Sequence, residues 1–270
     1  MKSVTEMKLK NIDKGKEFDF GRTSDVYAKY RDIYPKSMYD KLFELGIGKS
    51  GQRILDLGSG TAVLPLNMYH KGAQFVSTDI SENQIVQGKR AVEERGIKNI
   101  QFKVCSAENT GFEDNSFDVV TAVQCFQYFD AEKAAEEIYR ILKPNGIFCK
   151  IFMDWKPFED PVIYEMENLV LKYNPEWSGK GFREYNFTFP EWAKDRFEIA
   201  DVISYDAELE FTGEAWLGRV KSCRGVGASL SEEKIAEFEE EYRELLKKYT
   251  EPLKLKHQIH IEKWSVVSGQ

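Results

Sequence analysis

The residues best suited to chemistry lie in the segment ILDLGSGT, residues 54–61, where a short apolar run leads into a glycine-rich turn. Gly58 and Gly60 allow the backbone to turn tightly and to approach a ligand where a Cβ would clash. A helix that begins after such a turn presents free N–H groups and the positive end of its dipole, which suit a carboxylate or a phosphate. The segment therefore predicts a nucleotide-type binding site at the start of a helix.

Two carboxylates accompany this turn and narrow the choice of ligand. Asp79 ends the next predicted strand, 23 positions after Asp56, where a carboxylate accepts hydrogen bonds from ribose hydroxyls. Asp56 stands two residues before Gly58, where it would repel a pyrophosphate but could hold an ammonium group, directly or through water. A dinucleotide turn would also have a small residue where Val63 stands. A ligand with an amino-acid end, a ribose and an adenine therefore fits better than NAD, and S-adenosylmethionine is such a ligand.

Short apolar runs that alternate with amphipathic stretches must position these residues. The predicted strands are 53–57, 73–80, 100–106, 117–123 and 147–153, the predicted helices between them are 62–72, 82–96 and 131–142, and a turn is predicted over 143–146. Continuous apolar runs are typical of a parallel sheet with helices on both faces, which binds ligands at the carboxyl ends of its strands. The alternating segments 202–211 and 253–267 could add an antiparallel pair. We therefore predict an α/β fold with a doubly wound, mostly parallel seven-stranded sheet and an antiparallel closing strand.

Composition excludes several classes of protein. The 270 residues are 42% hydrophobic, with a net charge of −7, which argues against disorder and against broad neutralisation of nucleic-acid phosphates. The polar N-terminus is no signal peptide, and no run is apolar enough to cross a membrane. Four dispersed cysteines without a CxxC pair indicate reduced thiols, so a cytoplasmic location is expected. The three histidines lack metal-ligand spacing, and no metal is expected.

The segments DLGSGT, TDIS, CSAENTGFEDNSFDVVTAVQCFQYFD and ILKPNGIF, in this order, resemble the motifs of class I S-adenosylmethionine-dependent methyltransferases. They are similar, more narrowly, to the small-molecule branch that includes the ubiquinone/menaquinone-biosynthesis and trans-aconitate enzymes. The resemblance covers residues 18–152 well and extends weakly through 214–222 and the C-terminal strand. It implies a Rossmann-like methyltransferase fold and S-adenosylmethionine as the cofactor.

The resemblance also assigns residues to the cofactor. It implies that Asp79 holds the ribose and that Ile80 packs on the adenine. The residues that it assigns to the methionine end are Asp56, Gly58, Gly60 and Gln124. Ala107 and Glu108 are implied to flank the adenine. Ser106 stands where the family often has an acidic residue.

The segment FGRTSDVYAKYRDIYP, residues 20–35, resembles the part of the family's N-terminus that folds over the cofactor. By this resemblance Tyr27 or Tyr30 could cover the sulfonium, because an aromatic face attracts a cation. Arg31 could pair with the methionine carboxylate. Asp32 stands where the family usually has a proline. A packed amphipathic helix is the alternative reading of the same residues.

The domain organisation predicted on this basis has four segments. They are an N-terminal helical cover over the cofactor (1–50), a cofactor-binding core (51–153), a helical and aromatic lid or acceptor-pocket insertion (154–200), and C-terminal strands and helices that complete the same domain (201–270). All five tryptophans lie beyond residue 150, and aromatic walls are typical of small-molecule pockets. Arg219 and Arg224 are candidates to bind an acidic acceptor, with a surface or structural role as the alternative.

The predicted reaction is an in-line transfer of a methyl group to an oxygen, nitrogen or carboxylate of a small-molecule acceptor, driven by proximity. Related sequences often carry His-Trp where this chain has Gln127 and Tyr128, so no catalytic residue is assigned and these two are only candidates. The alternatives are a nicotinamide-dependent oxidoreductase and a regulatory module that binds the cofactor without turnover.

Overall fold

The computed structural model describes residues 7–267, so residues 1–6 and 268–270, at the outer ends of the predicted segments 1–50 and 201–270, lie outside the described residues. The strands are β1 (Arg53–Leu57), β2 (Gln74–Asp79), β3 (Ile100–Val104), β4 (Phe117–Val123), β5 (Leu142–Trp155), β6 (Phe197–Phe211) and β7 (Leu253–Val266). They form one seven-stranded sheet in the order β3-β2-β1-β4-β5-β7-β6. The sheet is mixed and mostly parallel, which confirms the predicted fold class.

The α-helices are α1 (Ser24–Tyr30), α2 (Lys36–Glu44), α3 (Val63–Met68), α4 (Glu82–Glu94), α5 (Ala131–Ile141), α6 (Pro161–Tyr173), α7 (Gly213–Lys221) and α8 (Glu232–Leu246). The side chains of Ser81 and Ser231 accept hydrogen bonds from the first turns of α4 and α8, as expected of N-cap serines. The helix predicted over 62–72 is shorter, because α3 tightens into a 3₁₀ turn at Tyr69–Lys71 before Gly72 adopts φ +93°.

The parallel ladders bring the carboxyl ends of β1 to β5 to one edge of the sheet. Leu57 of β1 pairs with Thr78 of β2 and with Ala122 of β4. Asp79 pairs with Val104 of β3, and Val123 of β4 pairs with Ile151 of β5. The turns that follow these strands therefore lie side by side, where an open α/β sheet binds its ligands.

The prediction of a turn over 143–146 with a strand starting at residue 147 is wrong in detail. β5 begins at Leu142, which already pairs with Phe117, and the register shifts before Val119 pairs with Ile147. Asn145 has φ +63°, so the Asn-Gly pair forms an irregularity within the strand. Likewise, the strand predicted over 202–211 already begins at Phe197.

The chain divides into two compact units. The first comprises the described parts of Met1–Ile33, Asp154–Glu184 and Asp206–Gln258, and the second Tyr34–Met153, Tyr185–Tyr205 and the described part of Ile259–Gln270. Each has a hydrophobic core, and all five tryptophans are buried in these cores: Trp155, Trp177 and Trp216 in the first, Trp192 and Trp264 in the second. The tryptophans expected to line an acceptor pocket therefore contribute to the hydrophobic packing inside each unit.

Candidate cofactor site

The glycine-rich turn after β1 lies at the carboxyl edge of the sheet in the second unit. Gly58 and Gly60 have φ +57° and +55°, a region that favours glycine. The backbone N–H of Ser59 donates to the Thr78 carbonyl over 2.8 Å, which attaches the turn to the end of β2. The turn then enters α3 through Ala62, at φ +65°. The predicted strand, turn and helix are thus present in the predicted order.

Asp79 lies directly beside this turn. Its Oδ2 accepts from the Gly60 N–H over 2.9 Å, and its Oδ1 accepts from the Ser81 N–H over 2.8 Å. Burial raises the pKa of Asp79, while the N–H groups of Ser81, Gly60 and Ile80 act in the opposite direction. A carboxylate has about four lone-pair sites, so Asp79 can hold the turn and still accept from a ligand's hydroxyl groups.

Asp56 is the second carboxylate of this edge and is almost fully buried. The Thr121 hydroxyl donates to its Oδ1 over 2.6 Å. Burial raises the pKa of Asp56 to about 7, the Thr121 hydrogen bond lowers it, and the charge of Asp79 raises it further. Near neutral pH this group is poised between its two protonation states, and a cation at the site would favour the ionised one.

The residues predicted to flank the adenine follow β2 and β3. Ile80 is exposed next to Asp79, and Ala107 is buried. Ser106 donates its hydroxyl to the Glu108 carboxylate, whose Oε1 also accepts from the Asp130 N–H over 2.9 Å. A carboxylate therefore lies beside residue 106 although the residue itself is a serine.

Gln124, at the end of β4, has φ +59°, which is uncommon for a residue with a side chain. Its backbone N–H donates to the Ile151 carbonyl over 2.9 Å, and its side-chain amide donates to the Met153 carbonyl. Three positions farther along, Gln127 is exposed and donates back to the Gln124 carbonyl over 3.2 Å. Tyr128 is partly buried against the second unit's core. The catalytic roles considered for Gln127 and Tyr128 stay predictions.

Tyr27, Tyr30 and Arg31 belong to the first unit, whereas the glycine-rich turn belongs to the second. The Arg31 guanidinium lies over the Tyr27 ring, 4.8 Å from its centre. A Cβ added at Gly218 would clash with the Tyr30 ring, so this ring packs on the backbone of α7. The roles of these three residues toward the cofactor stay predictions.

A polar cluster lies between β5 and β7 in the second unit and was not predicted from the sequence. Lys150 and Glu262 form a buried ion pair of 2.8 Å, and the Tyr185 hydroxyl donates to Glu262 over 2.6 Å. The His260 ring packs edge-on against Tyr185 with 4.3 Å between ring centres, and burial together with Lys150 lowers the pKa of His260 to about 4. The clue in the sequence was HQIHIEK, residues 257–263, whose polar residues alternate along a strand that is buried on both faces.

Gly58→Ala is expected to destabilise the protein by about 2–3 kcal/mol and to weaken binding at the turn. The new Cβ would lie 2.9 Å from both Cβ and Sγ of Cys125, in addition to the strain of φ +57°. Urea unfolding and ligand calorimetry measure the two effects. Gly96→Ala is the matched control, because Gly96 has φ +63° with nothing within 4 Å, and about 1 kcal/mol is expected there. Equal losses in the two variants would contradict the role of the close approach.

Within residues 7–267, no group of three or more histidine, cysteine, aspartate or glutamate side chains could hold a metal ion. Over the same residues, no helix is long and apolar enough to cross a membrane.

Comparisons with known proteins agree with this geometry. Residues 55–149 match the family model described as a methyltransferase domain. An uncharacterised methyltransferase, YcgJ, of Bacillus subtilis is 30% identical over 153 residues, which span 56% of this chain and 60% of that protein. The demethylmenaquinone methyltransferase of Thermus thermophilus is 37% identical over 106 residues, 38% of this chain and 48% of that enzyme. The matched part thus spans only about half to three-fifths of these relatives.

The fold extends beyond the region of sequence similarity. The crystal structure of the Bacillus subtilis YcgJ protein superposes with a TM-score of 0.56 at 19% identity, covering 87% of this chain and 100% of that one. Together with the domain match, these findings confirm the resemblance to class I methyltransferases of the branch that includes the menaquinone-biosynthesis enzymes.

Proposed function

We propose that this chain, whose residues 55–149 form a methyltransferase domain, transfers a methyl group from S-adenosylmethionine to a small-molecule acceptor. The observation that carries the proposal is the Asp79 carboxylate, which bonds the Gly60 N–H of the turn and retains lone pairs for a ligand. A nucleoside with an amino-acid end suits this arrangement, because Asp56 adds a second carboxylate at the same edge.

Each residue would contact the part of the cofactor that suits its chemistry. Asp79 would accept from the ribose hydroxyls, and Ile80 and Ala107 would supply apolar surface to the adenine. Gly58 and Gly60 would admit the methionine end, and Asp56 would favour its ammonium group, directly or through water. Gln124 would present its backbone at the same end, and Glu108 would flank the adenine from its bonds to Ser106 and Asp130.

S-adenosylmethionine supplies an electrophilic methyl group on a sulfonium, which reacts by in-line displacement. The chain's own task is to orient the acceptor and to exclude water, since alignment alone provides a large share of the rate in such reactions. Because Gln127 and Tyr128 stand where a histidine is common in related sequences, an acceptor that is already nucleophilic, such as a carboxylate or an amine, fits best. We therefore propose a carboxylate oxygen or an amine nitrogen as the atom that receives the methyl group.

The test has a binding arm and a transfer arm. Calorimetry should show binding of S-adenosylmethionine and S-adenosylhomocysteine, and tighter binding of NAD would favour the oxidoreductase alternative. The protein is then incubated with a metabolite extract and methyl-labelled S-adenosylmethionine, and labelled small products are identified by mass spectrometry. Cofactor binding without any labelled product across diverse extracts would contradict turnover and favour the regulatory alternative.

The affinity for S-adenosylmethionine is expected to rise about fivefold from pH 6 to pH 7, because the ionised fraction of a group with a pKa of about 7 rises by that factor. The sign follows from the proposed contact, since the ligand's ammonium group favours ionised Asp56. Without ligand the sign is opposite: a raised carboxyl pKa contributes stability at low pH, and this contribution is lost as the pH rises through about 7.

Calorimetry over this pH range on wild type and Asp56→Asn checks the assignment. Asparagine can still accept from Thr121 but does not titrate, so its profile should be nearly flat. The same slope in both proteins would place the titrating group elsewhere, with Asp79 as the next candidate.

A further inference from the structure

A cavity of about 250 Å³ lies in the second unit, and the residues assigned to the cofactor do not line it. Its lining includes side chains from the start of α2, from the chain before it and from the 3₁₀ turn after α3: Tyr34, Lys36, Tyr39, Asp40, His70 and Lys71. Small-molecule sites usually enclose about 300–1,000 Å³. The cavity is therefore suited to a ligand at the small end of this range.

The cavity lies apart from the glycine-rich turn. α3 begins at Val63, directly after that turn, whereas His70 and Lys71 follow the other end of the helix. The chain then enters β2 at Gln74, so these two residues lie near the amino-terminal ends of the parallel strands. The glycine-rich turn instead follows the carboxyl end of β1. A ligand in the cavity would therefore occupy a second site.

Lys71 brings a positive charge to the cavity that no carboxylate neutralises. Within residues 7–267, its exposed ammonium group forms no ion pair. The Nζ atom lies 4.9 Å from the centre of the Phe43 ring, which attracts the cation but leaves its charge in place. Lys71 is therefore available to an anion that enters the cavity.

The carboxylate of Asp40 also faces the cavity, but a lysine of the same helix neutralises it. Lys36, one turn earlier on α2, pairs with Asp40 over 2.5 Å. An ammonium group has three N–H donors, so Lys36 can bond Asp40 and an anion at the same time. With His70 counted as neutral, Lys71 still leaves the lining with an excess of positive charge, and the His70 ring adds an N–H donor.

Aromatic surface accompanies these donors. Tyr34 and Tyr39 line the same cavity, and both are half-buried. Their rings offer flat apolar faces on which a planar organic group can stack. Among the described residues that line the cavity, the permanent cations are lysines, whose compact charge suits a phosphate, whereas the planar fork of an arginine matches a carboxylate. The lining therefore favours a phosphate attached to an aromatic group.

We propose that this cavity binds a small aromatic phosphate monoester. Lys71, Lys36 and His70 donate to the phosphate, and the Tyr34 and Tyr39 rings contact the organic part. The site lies outside the proposed cofactor site, so its assignment does not depend on the proposed function.

The experiment uses phenyl phosphate as the probe, with inorganic phosphate and benzoate as comparison ligands. Calorimetry at low ionic strength measures binding to wild type, Lys71→Met, Tyr34→Leu and Asp79→Ala. Lys89→Met is the control, because Lys89 is an exposed lysine of α4 in the same unit that does not line the cavity. Thermal unfolding checks that each variant is folded. Lys71 is exposed, so Lys71→Met keeps the test valid if Tyr34→Leu fails to fold.

Phenyl phosphate should bind equally to wild type and Lys89→Met, and about tenfold more weakly to Lys71→Met, which loses a charge-assisted contact. Added salt should weaken the binding, since the lysines are exposed. Wild type should bind inorganic phosphate and benzoate less tightly than phenyl phosphate. Tyr34→Leu should lose the preference for phenyl phosphate over inorganic phosphate, and Asp79→Ala should bind as wild type does.

Four results would overturn the assignment. No measurable binding of phenyl phosphate to wild type, or equal binding to wild type and Lys71→Met, would mean that the cavity does not hold it. Tighter binding to Asp79→Ala would place the phosphate at the glycine-rich turn, where removal of a carboxylate favours an anion. A higher affinity for benzoate than for phenyl phosphate would contradict the choice of a phosphate.

Discussion

Asp79→Ala is expected to weaken the binding of S-adenosylmethionine about a hundredfold, which corresponds to about 3 kcal/mol. Two losses add up in this variant. The hydrogen bonds that an ionised carboxylate accepts from the ribose hydroxyls disappear, and hydrogen bonds to charged groups are the stronger class. The Gly60 and Ser81 N–H groups also lose their acceptor, so the turn that should contact the methionine end is less firmly held.

Calorimetry with S-adenosylmethionine measures the affinity, and urea unfolding of the ligand-free proteins shows whether the variant is folded. Asp118→Ala is the matched control. Asp118 also accepts from a backbone N–H, that of Arg53 over 2.8 Å, but at the amino-terminal end of the parallel strands. It should lose a comparable amount of stability and none of the affinity. A folded Asp79→Ala that binds as tightly as wild type would contradict the ribose assignment.

Asp79→Asn separates the two contributions. Its amide oxygen can accept from one of the two N–H groups, but its NH₂ group would face the other donor. The amide also carries no charge. We expect an affinity between those of wild type and Asp79→Ala, with stability closer to wild type. An affinity equal to that of Asp79→Ala would show that the charge, more than the attachment of the turn, governs binding.

The cofactor edge was predictable because its determinants are local in sequence. A strand, two glycines and the start of a helix follow one another closely in the sequence, and Asp79 ends the next strand. Recognising the turn and Asp79 therefore required no knowledge of distant packing. The parallel pairing of β1 with β2 and of β2 with β3 follows from the helical crossovers α3 and α4 between short buried runs. Only the contacts needed the structure, such as the bond between Asp79 and the Gly60 N–H that joins the two motifs.

The buried ion pairs were not predictable, because their partners meet through long-range packing. Arg219 and Arg224 looked equivalent in the sequence, but the structure shows that Arg224 forms an ion pair with the buried Asp13. Similarly, nothing in the segment 142–155 indicates that Lys150 pairs with Glu262, because β7 lies between β5 and β6 in the sheet. The five tryptophans are buried in the hydrophobic cores of the two units, and the role of segment 154–200 as a lid or acceptor pocket stays a prediction.

Glu262→Leu is expected to lower the free energy of unfolding by about 3–5 kcal/mol, the largest loss of stability that we predict. The side chains of Lys150 and Glu262 are 17% and 5% exposed, so the substitution would leave an ammonium group without its counter-ion in a region with little water. The Tyr185 hydroxyl and Trp264 Nε1 would lose their acceptor as well. The aromatic rings of Phe126, Phe152 and Trp192 lie near the Lys150 ammonium, but a cation–π contact does not replace a carboxylate.

The double variant Lys150→Met with Glu262→Leu decides whether the unpaired charge is the cause. It removes both charges together, and replacing a buried ion pair by apolar side chains is often nearly neutral, so most of the loss should be recovered. Urea unfolding followed by tryptophan fluorescence measures each variant. Asp201→Ala is the control. Asp201 pairs over 3.4 Å with Lys263, the residue next to Glu262, but this pair is more exposed. Its loss should lower the free energy of unfolding by less than about 1 kcal/mol. If the double variant were as unstable as Glu262→Leu alone, the loss would come from the Tyr185 and Trp264 hydrogen bonds, and the ion pair would not be what this part of the sheet requires.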